Sequence, residues 1–299
     1  MERREFIKKS CILSSTCILS SLCLNISKNK KTQNNIQETL PHVEFMISKH
    51  CNLNCAYCSY FSPLAPPPSF LPLDIFEKDI IQLRRITNSK VNEIVLLGGE
   101  PLLNKNIKSY IKIARENFNN SHIFIITNGL LLNEMQEDFY KTCADYKITI
   151  QYSIYPLYKK YPNLEKAQKK AQKFNINLKG RWRKKKYKFS LVQLSTKKLN
   201  DISVKYKECK NKIHYTQLDN GRLYPCPTIP GINIFNNYFK ENAIPQSDND
   251  YIDIYKIKTL QEIFDFLKTP KEACKYCNYG SKQAIWRPSE RKISEWFDV

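Results

Sequence analysis

No stretch of this 299-residue chain is long and apolar enough to span a bilayer, no internal repeat is evident, and no nucleic-acid reader motif accompanies its charge. A spanning helix needs about 20 mostly apolar residues. The nearest approach, Cys11 to Ile26, is shorter and diluted by serines. Alanine is missing before Ala56, so no small-x-small cleavage site follows the twin-arginine-like segment Arg3-Arg4-Glu5-Phe6-Ile7-Lys8-Lys9. Lysines on both sides of the apolar run give it no preferred orientation. Residues 1–40 therefore read as a disordered or membrane-associating extension on a cytoplasmic protein. Acidic residues are also scarce, 28 against 48 Lys and Arg, for a net charge of +20. Such a field favours anionic partners, and without a reader motif nucleic acid is not expected among them. Most of the excess lysine is spread through an Asn- and Ile-rich background. Only Lys179–Lys188 is locally extreme, with seven basic residues in ten and none acidic. It reads either as a solvated loop or as an anion-binding edge for a substrate phosphate or carboxylate.

Cysteine, by contrast, is plentiful, at 11 residues. The spacings read as cofactor ligands rather than a disulfide framework, which points to a reducing compartment. Cys11, Cys17 and Cys23 read as free thiols in the apolar run, and Cys143 as a core residue at the end of an amphipathic helix. The informative set is Cys51-x3-Cys55-x2-Cys58, with Tyr57 before the last cysteine. A zinc knuckle or buried free thiols are one reading, although zinc favours four ligands and only His50 is near. A 4Fe–4S cluster is the other, since three thiolates leave its fourth iron open. Gly98-Gly99-Glu100-Pro101 follows 40 residues after Cys58.

Together, in this order, the two motifs resemble those of the radical S-adenosylmethionine (SAM) superfamily. The resemblance implies a 4Fe–4S cluster on Cys51, Cys55 and Cys58 whose unique iron chelates the amino and carboxylate groups of SAM. Reductive cleavage of SAM would then give a 5′-deoxyadenosyl radical that abstracts hydrogen. It also implies SAM contacts at Gly98, Gly99, Glu100 and Pro101, the glycines letting backbone approach SAM, and Tyr57 near the adenine. Asn128 and Ser153 are candidate ribose or carboxylate contacts, or polar turn residues with no ligand role. An electron donor such as flavodoxin or ferredoxin and a small-molecule substrate, with an anionic group if the basic edge binds it, complete the implied partners.

From residue 43 the chain alternates strand and helix. Strands are expected at Val43–Ser48, Glu93–Leu97, His122–Ile126, Ile148–Ser153 and Ile176–Leu178. Helical faces are marked by Phe76, Ile80, Leu83 and Thr87, by Ile107, Ile111, Ala114 and Phe118, by Leu132, Met135 and Phe139, and by Leu164, Ala167, Ala171 and Phe174. Such alternation predicts an α/β fold with a parallel sheet, with chemistry at the carboxyl ends of the strands. The superfamily resemblance makes this a partial (β/α)6 TIM-like barrel over residues 42–190, whose sixth strand has no clear place.

Residues 200–299 change to turns, aromatics and cysteines. Asn220-Gly221 is a hairpin signal that can bring Cys209 and Cys226 together, with Cys274-x2-Cys277 closing the site. Taken alone, these four could hold structural zinc. Downstream of the first motif, Cys-x11-Gly-x4-Cys followed by Cys-x2-Cys resembles the twitch module, a truncated SPASM domain that carries one auxiliary 4Fe–4S cluster. A full SPASM domain would need cysteines beyond Cys277. The resemblance implies an electron acceptor fully ligated by protein, as in the twitch dehydrogenase that oxidises an alcohol of an aminocyclitol. The expected function is thus a radical SAM oxidoreductase acting on a sugar, polyol or related metabolite. A peptide-modifying maturase is the second reading, ranked lower because the residues before Val43 are too few and too polar for a peptide-recognition domain. A non-catalytic iron–sulfur electron-transfer protein is the third; electron transfer alone needs no Gly-Gly-Glu-Pro turn.

Overall fold

The sheet begins with β1 (Leu40–Ser48), which is buried along nearly its whole length, as a strand covered on both faces must be. In the computed structural model the residues described are 38–156, 162–181, 188–191, 194–195, 202–209, 211–240, 244–278 and 283–298. The twin-arginine-like segment, Cys11, Cys17, Cys23 and positions 182–187 of the basic run lie outside them. All described residues belong to one unit, Gln37–Val299.

Four βα units follow the expected order: α1 (Leu73–Thr87), β2 (Val91–Gly98), α2 (Ile107–Asn117), β3 (His122–Thr127), α3 (Glu137–Asp145), β4 (Ile148–Ser153), α4 (Glu165–Lys173) and β5 (Leu178–Arg181). The helical faces anticipated for α1 and α2 are buried throughout. Phe76, Ile80 and Leu83 pack with Phe45 and Ile47 in the main core, where the Phe45 and Phe76 rings meet edge-on at 4.9 Å. Cys143 is fully buried in the same core. Leu132 and Met135 precede α3 rather than lying within it, and β5 starts later than the apolar pattern suggests. There the Ile176 amide closes α4 by donating to Ala171 O at 2.8 Å, after Asn175 turns the chain at φ 52°.

The C-terminal third adds β6 (Lys188–Ser190), α5 (Ile202–Glu208), β7 (Thr216–Asp219), β8 (Arg222–Tyr224), α6 (Thr228–Tyr238), β9 (Ile252–Asp253), α7 (Leu260–Lys268) and β10 (Gln283–Ile285). Asn220 and Gly221 both have positive φ, 51° and 75°, the geometry of the tight hairpin that joins β7 to β8. This hairpin is part of the main sheet, whose order is β5-β4-β3-β2-β1-β7-β8-β9. Strands β1 to β5 are mutually parallel and β7 pairs parallel with β1, whereas β8 and β9 are antiparallel. The result is an unclosed, largely parallel sheet, a partial barrel whose sixth parallel strand comes from beyond residue 200, on the far side of β1. Separately, β6 and β10 form a two-stranded sheet.

A second apolar core gathers Phe61, Tyr224, Ile229, Ile232, Phe235, Trp296 and Phe297. It joins the loop after β1 to the C-terminal residues. Among the described residues no helix is long and apolar enough to cross a membrane.

Candidate metal centre

Cys51, Cys55 and Cys58 lie on the loop that leaves β1, at the carboxyl end of the sheet. The Cys55 thiol feels the fields of Cys58 and Cys51, so the three thiols lie within electrostatic reach of one another. Burial pushes the Cys51 thiol up to about 12, and it raises Cys55 and Cys58 as well. Opposing donors surround them. The Leu53 amide donates to Cys51 Sγ at 3.3 Å and Asn128 Nδ2 at 3.5 Å. Backbone amides of Ser62, Tyr60 and Phe61 favour the Cys58 thiolate. Buried thiols of this kind stay protonated until a metal replaces the proton.

The loop is held from two sides. On one side stands the turn after β2. The Gly99 amide donates to Ser48 O at 2.7 Å and the Glu100 amide to His50 O at 3.1 Å. A Cβ on Gly98, whose φ is 151°, would stand 2.0 Å from Ser48 O, and one on Gly99 would stand 2.2 Å from His50 O. The backbone of the cysteine loop thus itself requires both glycines.

Glu100 is likewise engaged within the protein. Its fully buried carboxylate accepts from Leu102 N at 3.0 Å, Thr127 Oγ1 at 2.7 Å and Asn128 N at 2.8 Å. Burial raises this carboxyl to about 7 against the pull of those three donors. Pro101 is buried at the start of a 3-10 turn, Pro101–Leu103, which Glu100 caps. Asn128, at the end of β3, extends its amide to Asn52 Oδ1 at 2.8 Å as well as to Cys51. The ends of β1, β2 and β3 are in this way tied into one network. Ser153 ends β4, half-buried and in register with Arg181.

The other side was not foreseen. Residues 286–296 lie along the cysteine loop as a strap. Pro288 bridges to Cys55, and Arg287 O accepts from Ala56 N at 3.0 Å. Asn54 exchanges two hydrogen bonds with Ser289. The Arg287 guanidinium sits 5.3 Å from the Tyr57 ring centroid and pairs with buried Glu295 at 2.6 Å. Trp296 Nε1 donates to Cys58 O at 3.0 Å. Tyr57, expected at the adenine, is therefore also an anchor for this strap, in a left-handed conformation with φ 61°. The sequence signal available was slight: two of the chain's three tryptophans fall at positions 286 and 296.

Two buried donors near the loop lack a conventional partner, Trp286 Nε1 and Ser62 Oγ. Trp286 acts on the Cys55 sulfur and Ser62 on that of Cys58, in each case favouring the thiolate. Donors without acceptors beside clustered thiols fit an anionic, sulfur-rich group. No three His, Cys, Asp or Glu side chains among the described residues close on a single ion. A cubane, being a cage of four irons, holds its thiolates farther apart than one ion does.

The second cysteine set also converges. Cys209 follows α5, Cys226 follows β8, and Cys274 and Cys277 flank the end of a 3-10 turn, Glu272–Tyr276. Cys226 feels Cys277, Cys274 and Cys209, while burial drives its thiol upward. Burial likewise raises Cys274 to about 12, with Cys277 and Cys209 adding to the rise. Lys179 and Arg181 leave the sheet at its carboxyl edge on β5; the rest of the basic run is only partly described.

The Radical SAM superfamily model matches residues 45–169, which span β1 to α4 and both motifs. Among curated proteins, the chain is 31% identical over 107 residues to a GTP 3′,8-cyclase of Helicobacter pylori (strain HPAG1), covering 34% of this chain and 32% of that one. It is 28% identical over 97 residues to the GTP 3′,8-cyclase of Campylobacter jejuni subsp. doylei, covering 32% and 30%. The chain thus spans about a third of the length of the curated relatives it matches. Among solved structures, BtrN in complex with AdoMet and 2-DOIA gives a TM-score of 0.46 at 15% identity, over 79% of this chain and 92% of that one. Native anSMEcpe with bound AdoMet gives 0.47 at 14%, over 78% and 81%. Residues 45–169, with the three-cysteine loop and the Gly-Gly-Glu-Pro turn at their strand ends, are thus the part of the chain that matches the Radical SAM superfamily model.

Proposed function

We propose that this chain is a radical SAM oxidoreductase that removes two electrons from a small metabolite such as a sugar, polyol or sugar derivative. Cys51, Cys55 and Cys58 would hold a 4Fe–4S cluster, and Cys209, Cys226, Cys274 and Cys277 a second one. When bound, the first cluster and SAM supply a 5′-deoxyadenosyl radical that takes one hydrogen atom from the substrate; one electron and one proton then remain to be removed. The observation that carries this reading is the convergence of four thiols, enough to ligate a cubane completely. A cluster closed by protein suits an electron acceptor and leaves no iron for substrate. The C-terminal module is, on this reading, twitch-like.

The chain's own residues divide the work. The three-strand network of Ser48, His50, Glu100 and Asn128 keeps the cysteine loop rigid. With the Glu100 carboxylate buried in internal hydrogen bonds, the methionyl ammonium of SAM falls to backbone carbonyls of the Gly98–Pro101 turn. Tyr57 would border the adenine, with Ser153 and Asn128 toward ribose or carboxylate. Arg181, in register with Ser153, would begin an edge for an anionic substrate. An external electron donor, flavodoxin or ferredoxin in type, would reduce the first cluster in the cytoplasm.

The test is substrate-dependent release of 5′-deoxyadenosine by the reconstituted protein over sugars, polyols, nucleotide-sugars and GTP. Release with a sugar or polyol, together with an oxidised product, is expected. GTP consumed to a cyclised product would replace the oxidoreductase reading with the chemistry named for the similar cyclases. The auxiliary role predicts that Cys226→Ala with Cys274→Ala still cleaves SAM but forms no oxidised product.

A further inference from the structure

We infer that Trp286 and Ser62 are positioning residues that donate hydrogen bonds to the Cys55 and Cys58 sulfurs of a bound cluster and thereby raise its reduction potential. The inference rests on the proposal that these cysteines hold a 4Fe–4S cluster. The geometry behind it is independent of SAM. Both donor atoms are buried, and neither meets an acceptor at hydrogen-bond geometry. A buried donor left unpaired costs about 1–3 kcal/mol, so such atoms call for an acceptor that the bare thiols do not provide. Of the three buried polar side-chain atoms without a partner among the described residues, Gln217 Oε1 is an acceptor, and the two that can donate both lie beside the three-cysteine loop.

Each donor is held in place by its surroundings. Trp286 precedes the segment in which Arg287 and Pro288 pair with Ala56 and Cys55, so the strap sets its distance from Cys55. Its ring lies 6.3 Å from that of Tyr155, just past the end of β4. Ser62 opens a buried 3-10 turn whose preceding residue, Phe61, is locked in the second core at φ 55°.

Once thiolate and sulfide are present, these N–H and O–H groups gain acceptors. Adding an electron makes the cluster more negative and strengthens each donation, so the donors favour the reduced state. Hydrogen bonds to cluster sulfurs and burial are the protein's established means of setting such potentials.

The experiment uses the full chain, reconstituted anaerobically, as parent, Trp286→Phe and Ser62→Ala. To isolate one cluster, all three carry Cys226→Ala and Cys274→Ala. Iron is counted, and the reduced fraction is followed by electron paramagnetic resonance during a redox titration. About four irons per chain are expected in all three, with the reduced-to-oxidised ratio at fixed potential falling about tenfold in each variant. For a one-electron couple that is a shift of about 59 mV to lower potential. Pulsed measurements should also show an exchangeable proton coupled to the reduced cluster in the parent and lost in Trp286→Phe. Full iron with unchanged potentials in both variants overturns the inference while leaving the cluster reading intact. Loss of iron from both variants also overturns it, by making the two side chains structural. Failure of the parent itself to hold iron at Cys51, Cys55 and Cys58 is the distinct result that removes the cluster reading.

Discussion

Two side chains cannot be added where the turn after β2 passes the cysteine loop, and this is the sharpest constraint on the site. At Gly98 a methyl group meets both a carbonyl at 2.0 Å and a φ that L-residues rarely adopt. Backbone strain and overpacking together should cost Gly98→Ala roughly 2–5 kcal/mol, read as a lower denaturation midpoint and lost iron at the first site. A parent-like midpoint would mean the loop is not held as described. His42 offers a pH test away from the cysteines. Burial lowers its pKa, but the hydrogen bonds its ring donates to the Glu44 and Glu93 carboxylates, at 3.2 and 2.9 Å, outweigh this and raise it above the ordinary 6.5. The folded state then holds a proton that the unfolded state releases above pH 6.5, so stability falls as pH climbs through the folded pKa. Unfolding measured from pH 6 to 9 should show this decline in the parent and a flatter profile in His42→Gln. Equal slopes would sink the assignment.

At the scale of elements, the loop after β1 and the strap 286–296 form one unit, and the hairpin β7–β8 forms another with α1. Asp79 on α1 accepts from Gly221 N at 2.9 Å and from Tyr255 Oη at 2.8 Å, pinning the hairpin that delivers Cys226. Separate elements therefore present the two cysteine sets, and they should be separable by mutation. Cys51→Ala, Cys55→Ala and Cys58→Ala together should reduce about eight irons per chain to about four and abolish SAM cleavage by reduced protein. Stoichiometric zinc at Cys209, Cys226, Cys274 and Cys277 would end the electron-acceptor role while leaving the first site standing. The basic edge gives a further separation. Arg181→Glu with Arg183→Glu should weaken affinity for an anionic substrate about 10-fold or more with uncoupled SAM cleavage nearly unchanged. Unaltered substrate affinity would make the run a solvated loop.

For the whole molecule, the important fact is that one sheet runs through both regions. Because β7 pairs with β1, the region matched by the Radical SAM model and the C-terminal cysteines share a hydrogen-bonded framework rather than a linker. Leu40 is fully buried and begins β1, so the extension ends before it; a cut after residue 40 would remove a core side chain. Deleting residues 1–37 should leave the unfolding free energy within about 0.5 kcal/mol of the parent and the iron count unchanged. Lost iron in that truncation would give the segment a part in the fold.

Much of this was legible in the chain because it is local. Helix periodicity placed Phe76, Ile80, Leu83 and Thr87 on a buried face, and the turn chemistry of Asn220-Gly221 placed a hairpin. The cysteine spacings, being contiguous, identified both candidate sites. What the sequence could not show depends on where distant segments meet. Gly98 and Gly99 are recognisable as special, yet only the fold reveals that the clash they avoid is with Ser48 and His50. Glu100 stands in the motif as a candidate SAM contact, and only the fold shows that its carboxylate, buried among three donors, also joins strand ends. Trp286 and Ser62 carry no motif, and they acquire meaning only because the strap returns across more than two hundred residues to the cysteine loop. Spacing along the chain determined which residues are candidate ligands, whereas burial and non-local pairing decided which groups surround them.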